Sequence, residues 1–207
     1  MNENLLTIEK RSSINGTFWK KRLIDDGINN DKTSDSKLNN ILETILFGRN
    51  IRKEDFSDFL DPKVNNLMID PSELVDMDIA IKEITLAMID NKKIGIIGDY
   101  DVDGTTSSSL LTNFFDHYNV NSDVYIPDRL KDGYGPNIFA FDQFIEKKID
   151  TVITVDCGSA SIKPLEYASK NGIKVIIIDH HKVDNVLPEC FAHINPTRKD
   201  DKSNLNH

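Results

Sequence analysis

From Lys93 onward the chain alternates short β-branched runs with helical patterns, and this alternation restricts the fold more than any other feature. The runs are IGII, DVYI, TVITV and KVIII. Between them, apolar residues recur at helical spacing: Leu110, Leu111, Phe114, Phe115 and Tyr118, then Phe141, Phe144 and Ile145, then Ile162, Leu165 and Ala168. Strands that alternate with helices form βαβ units, which build a mainly parallel sheet with helices on both faces. Such strands are buried on both sides, so they read as continuous apolar runs rather than as alternating ones. The expected fold class is α/β.

The region before residue 91 has a different texture. The first 35 residues are polar and aperiodic apart from TFWKKRL, where Trp19 is expected to dock the arm on the body. Leu38, Ile41, Leu42, Ile45 and Leu46 follow the i, i+3, i+4, i+7, i+8 pattern of an amphipathic helix. Phe56, Phe59 and Leu60 suggest a short second helix that stops before Pro62. Ala80, Ile81, Ile84, Ala87 and Met88 mark a third. Residues 1–90 are therefore expected to form an N-terminal arm and small helical region, and residues 91–207 the α/β domain.

Three of the four strand runs lead into polar groups. IGII runs into Asp99, TVITV into Asp156, and KVIII into Asp179, His180 and His181. The carboxyl ends of the strands are where open α/β sheets bind ligands. Punctuation of turns by acidic residues accounts for any one of these positions, but not for their coincidence or for the triple aspartate in DYDVDG. Like charges that close repel one another unless a cation holds them. Carboxylates suit Mg²⁺ and Mn²⁺, and imidazole moves preference towards Mn²⁺, Zn²⁺ or Fe²⁺. Without a thiolate cluster, structural zinc is not expected. The number of donors implies a pair of cations, about 3.5–4 Å apart, of the kind that activates water and stabilises charge on a phosphoryl group.

Composition narrows the remaining possibilities. The chain has 207 residues, 39% hydrophobic and 29% charged, which suits one large or two small globular domains. The net charge of −9 and a sequence pI near 5.0 argue against generalised coating of nucleic acid, though not against a local basic groove beside metals. No apolar run reaches the length of a membrane span, and MNENLLTIEKRSSING lacks the apolar core of a signal peptide. Two cysteines, Cys157 and Cys190, make no disulfide framework, so a reducing cytoplasm is the expected location.

Three known patterns overlap DYDVDGTT. An EF-hand loop starting at Asp99 would need a bidentate acid at its twelfth position, which is Leu110. DVDGTT resembles the opening of the haloacid-dehalogenase-type phosphatases, with Asp101 as nucleophile and Asp103 as acid/base. That reading leaves VDCGS and DHH without a task. The DHH phosphoesterases account for all of these segments. The chain resembles them and, within them, the RecJ single-strand-specific exonucleases, through GDYDVDGTTSSSLL (98–111), YIPDRLKDGYGPN (125–137), TVITVDCG (151–158), IIIDHH (176–181) and INPTR (194–198). The likeness begins with FLDPKVNNLMIDPSELVDMDIAI (59–81) and covers roughly residues 35–207.

The resemblance implies roles for individual residues. Asp99, Asp101 and Asp103 match the first metal-binding motif, with Asp101 and Asp103 as its surest ligands and Asp99 either ligating or orienting. Asp156 matches the aspartate that bridges both metals. His180 matches a metal-binding histidine, and His181 would face the scissile phosphate. Asp179 would fix an imidazole tautomer. Arg129 and Arg198 are candidate phosphate contacts, since guanidinium forks match phosphate oxygens, with structural salt bridges as the alternative. Gly104 is expected to let the chain turn sharply beside the cations. The hydroxyls of TTSSS are expected mainly to cap and solvate a helix start, Cys157 to be a small buried residue, and His117, His193 and His207 to have no special part.

The resemblance further implies Mn²⁺ or Mg²⁺ as cofactor in a two-metal site. It implies single-stranded DNA as partner and 5′-to-3′ degradation in recombination and repair, with a repair helicase or single-strand-binding protein as further candidate partners and no membrane. The family continues past residue 207 with another ligand aspartate and further domains. The chain is accordingly expected to be an N-terminal fragment whose catalytic domain is incomplete at its C-terminus, so catalysis by these residues alone is not implied. Binding of nucleic acid or a repair partner without catalysis is the alternative from a different class.

Overall fold

In a computed structural model, residues 14–16, 36–184, 186–203 and 205 of the chain are described. Trp19 and His207 lie outside them. The chain separates into two compact units, Met1–Met68 and Ile69–His207.

The described part of the first unit is helical. It comprises α1 (Ser36–Gly48), a 3₁₀ turn (Lys53–Asp55), α2 (Phe56–Leu60) and α3 (Val64–Leu67). An edge-on contact between the rings of Phe47 and Phe56, centroids 5.1 Å apart, joins α1 to α2.

The second unit contains α4 (Met77–Ile89), β1 (Ile94–Gly98), α5 (Val102–His117), β2 (Ser122–Tyr125), α6 (Ile138–Glu146), β3 (Thr151–Val155), α7 (Ile162–Lys170), β4 (Lys174–Ile178) and β5 (Ala192–Ile194). The five strands form one sheet in the order β2-β1-β3-β4-β5, and every neighbouring pair is parallel. All residues of β1 and β3 are buried, as a central strand covered on both faces requires. Side chains divide between the faces with period two. Ile97, Val152, Val175 and Ile177 pack with Phe141 and Phe144 of α6 and Leu165 and Ala168 of α7. Ile94, Ile96, Ile153, Val155 and Ile176 pack with Ala80 and Ala87 of α4 and Phe115 of α5. Helices therefore cover both faces, as the alternation of runs predicts. The helix Met77–Ile89 belongs to this second unit and covers part of its sheet.

Two local features differ from the sequence reading. Strand β5 was not expected: AHI is three residues long with a histidine at its centre, too short to show a period. Gly104 does not make the turn after β1. It lies inside the first turn of α5, where an added Cβ would stand 2.4 Å from the backbone N and O of Asp99. Gly98 shows the same constraint from the strand side, since its Cβ would fall 2.0 Å from Ser108 Oγ and 2.8 Å from the Gly104 carbonyl oxygen. Both glycines serve close approach of helix to strand, not chain reversal. Among the described residues, no helix is long and apolar enough to cross a membrane.

Candidate metal centre

The sheet order creates the site. From β1 the chain proceeds to β2 on one side, and β3 lies on the other, so the connections diverge between β1 and β3. A crevice opens at such a switch point, beyond the carboxyl ends of the strands. Asp99 and Asp101 follow β1, Asp156 follows β3, and His180 and His181 follow β4 one strand further on.

Two groups of donors converge there. Ligand atoms of Asp99, Asp101 and Asp156 lie within 4.8 Å of one another, as do those of Asp156, His180 and His181. Asp156 belongs to both groups, which is the geometry a carboxylate shared between two cations needs. Asp103 joins neither group at that distance. It lines the adjoining cleft of about 270 Å³ with Thr106, Ser107, Asp156, Ile178, Asp179 and His180.

Local structure explains how each side chain is aimed. Asp101 is the N-cap of α5 and accepts a hydrogen bond from the Gly104 N–H at 3.0 Å, which holds its carboxyl below the usual aspartate range. Asp156 adopts a left-handed backbone conformation, φ +60°, rare for any residue but glycine. Its N–H donates to the Ile178 carbonyl at 2.9 Å. Burial, and then the Asp101 carboxylate alongside, push the Asp156 carboxyl up to about 6. One oxygen each of Asp99 and Asp156, Oδ1 and Oδ2 respectively, is buried without a hydrogen-bond partner among the described residues. Buried acceptors of this kind are costly unless a donor or cation meets them. The donor set thus fits divalent cations: crowded hard oxygens with two imidazoles beside them.

The DHH segment divides its work among three residues. His180 Nε2 lies 3.1 Å from Asp156 Oδ1, and its side chain is largely exposed. Asp179 is buried and accepts from the backbone N–H groups of Ser159, His180 and His181, and from His181 Nδ1 at 2.8 Å. Burial opposes its ionisation, but the donors from His181 and Ser159 outweigh burial and hold its carboxyl below the usual range. For His181, burial opposes the charged imidazolium, yet the bond to Asp179 and the nearby carboxylates prevail and raise its pKa. Nδ1 is directed at Asp179, so Nε2 is the ring nitrogen that this carboxylate leaves free.

The two arginines separate. Arg129 is exposed, with its guanidinium carbon 5.5 Å from the centroid of the Tyr100 ring, between Asp99 and Asp101 in sequence. Arg198 is not a phosphate contact. Its guanidinium is occupied by Asp76 and Asp200, each at 2.7 Å, and by the His193 carbonyl, and only 8% of the side chain is exposed. The structural alternative holds for this residue. Cys157 is fully buried, and burial first, then nearby carboxylates, push its thiol far up.

Sequence reasoning missed four residues that brace the site. The Tyr134 hydroxyl bonds to the Asp156 carbonyl at 3.0 Å and lies 3.2 Å from His181 Nδ1. Asn195 Nδ2 donates to Ser159 Oγ and to the His181 carbonyl, both at 2.9 Å, and Thr197 Oγ1 donates to that same carbonyl at 2.9 Å. Tyr134, Asn195 and Thr197 lie in segments that carry the family likeness, and Ser159 directly follows one; the likeness alone assigned them no task.

A parallel α/β sheet whose switch point carries a divalent-cation donor set defines a class of metal-dependent proteins. Residues 93–206 match the model of the DHH family, N-terminal domain, and the chain belongs to that family. It is 41% identical over 127 residues to the single-stranded-DNA-specific exonuclease RecJ of Bacillus subtilis (strain 168), covering 61% of this chain and 16% of that protein. The match to the RecJ of Escherichia coli (strain K12) is 31% over 173 residues, 82% of this chain and 29% of that protein. A crystal structure of exonuclease RecJ bound to manganese superposes with a TM-score of 0.59 at 28% identity, over 65% of this chain and 34% of the other. RecJ from Thermus thermophilus in complex with Mn²⁺ gives 0.57 at 25%, over 76% of this chain and 21% of the other. The chain spans less than a third of the curated relatives described here. The family match decides against the haloacid-dehalogenase reading.

Proposed function

We propose that this chain is the catalytic-site portion of a metal-dependent exonuclease that hydrolyses phosphodiester bonds of single-stranded DNA from the 5′ end. The observation that carries this reading is the convergence of Asp99, Asp101, Asp156, His180 and His181 at the switch point, with unpartnered buried oxygens on Asp99 and Asp156. The names of the RecJ relatives support the substrate class, and the manganese in the RecJ crystal structures supports Mn²⁺ as the cation, with Mg²⁺ as the other candidate.

Asp99, Asp101, Asp156 and His180 would hold two cations, with Asp103 at the cleft margin as a further donor. When bound, such a pair lowers the pKa of water and stabilises charge on a phosphoryl group under in-line attack. His181 would face the phosphate with the ring nitrogen that Asp179 leaves free. Arg129, exposed beside Tyr100, would contact a backbone phosphate, since its guanidinium is matched to phosphate oxygens. Single-stranded DNA is the substrate this reading takes, since a single strand can lie along a site while its bases stack elsewhere. Recombination and repair are the processes that need such an activity, and a cytoplasmic location suits the free thiols of Cys157 and Cys190.

The test is a gel assay of the protein at its natural length with Mn²⁺. Strands carrying a block at one end or the other, and blunt duplex, serve as substrates. The expected outcome is shortening only of single strands with an accessible 5′ end. Digestion from the 3′ end of 5′-blocked strands, or a preference for cyclic dinucleotides, would overturn the assignment.

A further inference from the structure

The segment Gly133-Tyr134-Gly135 enters the site without a task in the chemistry described above. Both glycines have positive φ, +78° and +71°, a conformation that side-chain-bearing residues rarely adopt. The chain bends at Tyr134 and Gly135, and the Tyr134 ring reaches the loop after β3. Gly135 lies against that loop, where an added Cβ would touch Cys157 Cβ at 3.4 Å. The approach is braced from behind, because Asp132 Oδ2 accepts from the Tyr125 hydroxyl and the Asp128 N–H.

The hydrogen-bond chemistry at the phenol has one consistent assignment. Its single O–H donates to the Asp156 carbonyl at 3.0 Å. Its oxygen is then free to accept from His181 Nδ1–H at 3.2 Å, the same N–H that donates to Asp179 at 2.8 Å. The two rings also meet edge to face, centroids 5.8 Å apart at 81°. Burial first, then the surrounding carboxylates, push the Tyr134 pKa well above its ordinary value, so the phenol keeps the proton it donates.

We infer that Tyr134 is a positioning residue of the metal centre: one hydroxyl ties the Asp156 peptide to the His181 imidazole. Asp156 needs such a tie. Its backbone is held in a left-handed conformation, and its carboxylate is common to both donor groups. A rotation of the Asp156 peptide would move that carboxylate relative to every other ligand. The inference rests on the metal-centre reading above and adds a residue whose own atoms bind no cation. Partners that orient ligands commonly change metal affinity by about 10–100-fold when removed.

The test measures Mn²⁺ binding by calorimetry, and metal-free melting, for the unmutated chain and for Tyr134→Phe, which keeps the ring and removes only the hydroxyl. The expected result is Mn²⁺ affinity weakened about 10-fold, with the metal-free melting temperature within about 2 °C of the unmutated value. Equal Mn²⁺ affinity in the two proteins would overturn the inference and leave the metal-centre reading standing. A large fall in metal-free melting temperature alongside the affinity loss would assign Tyr134 to general stability and overturn it as well. Absence of Mn²⁺ binding by the unmutated chain would remove the metal-centre reading itself, and the inference with it.

Discussion

Asp156 concentrates the conflict that the site sets up. Its carboxylate is buried among Asp99 and Asp101, and without a cation the charges oppose one another. Asp156→Asn should therefore make the metal-free protein more stable in urea unfolding near neutral pH, because burial and the Asp101 carboxylate both oppose the charged form there. The same substitution should abolish stabilisation by Mn²⁺. Destabilisation of the metal-free protein would show that the carboxylate is held by protein donors instead. His193 offers a separate test through pH. It is buried on β5, with Nε2 at 2.9 Å from Ser159 Oγ and Nδ1 unpartnered, and burial, then the Arg198 charge, lower its pKa. The unfolded chain binds the proton more readily, so stability falls as pH drops below about 6.5, the unfolded value. His193→Gln should flatten the fall in stability between pH 7.5 and 5.5. An unchanged pH dependence would contradict this account of His193.

The first turn of α5 shows how an element carries the site. Thr105, Thr106, Ser107, Ser108, Ser109 and Thr112 all donate their hydroxyls to backbone carbonyls one turn earlier. These bonds satisfy the hydroxyls within the helix itself rather than capping its start, a task that falls to Asp101. Replacing a helical glycine by alanine ordinarily stabilises by about 1 kcal/mol. At Gly104 the sign should reverse, because the new methyl meets the Asp99 backbone. Gly104→Ala is expected to cost about 2 kcal/mol in denaturant unfolding and to weaken Mn²⁺ binding by displacing Asp99. A stabilising effect would contradict the close approach of α5 to β1. At this scale the sequence was readable where periodicity was strong: the β-branched runs became β1 to β4, and each helical pattern became a helix. It was silent where structure depends on contact. AHI had too few residues to show a period. Gly104 gave no sign whether it turned the chain or admitted a neighbour. For Arg198 the sequence leaves phosphate contact and salt bridge open, because the partner Asp76 is distant along the chain. Tyr134 was visible only as part of a motif, because its partners come from the ends of two other strands.

On the scale of the whole molecule, the parallel sheet turns separate sequence segments into one site. The diverging connections between β1 and β3 open the crevice, and the strand ends fill it with donors. Carboxylates and imidazoles after β1, β3 and β4 mark these strand ends as a candidate site already in the sequence. The central claim is that these residues together bind divalent cations, and a ligand that binds only the folded state must raise its stability by mass action. The most direct measurement is melting temperature against Mn²⁺ concentration for the unmutated chain and for the Asp156→Ala, His180→Ala double variant. The account predicts a saturable rise of several degrees for the unmutated chain, corresponding to about 2.7 kcal/mol at one hundred times the dissociation constant, and none for the variant. An identical response in the two proteins would contradict it.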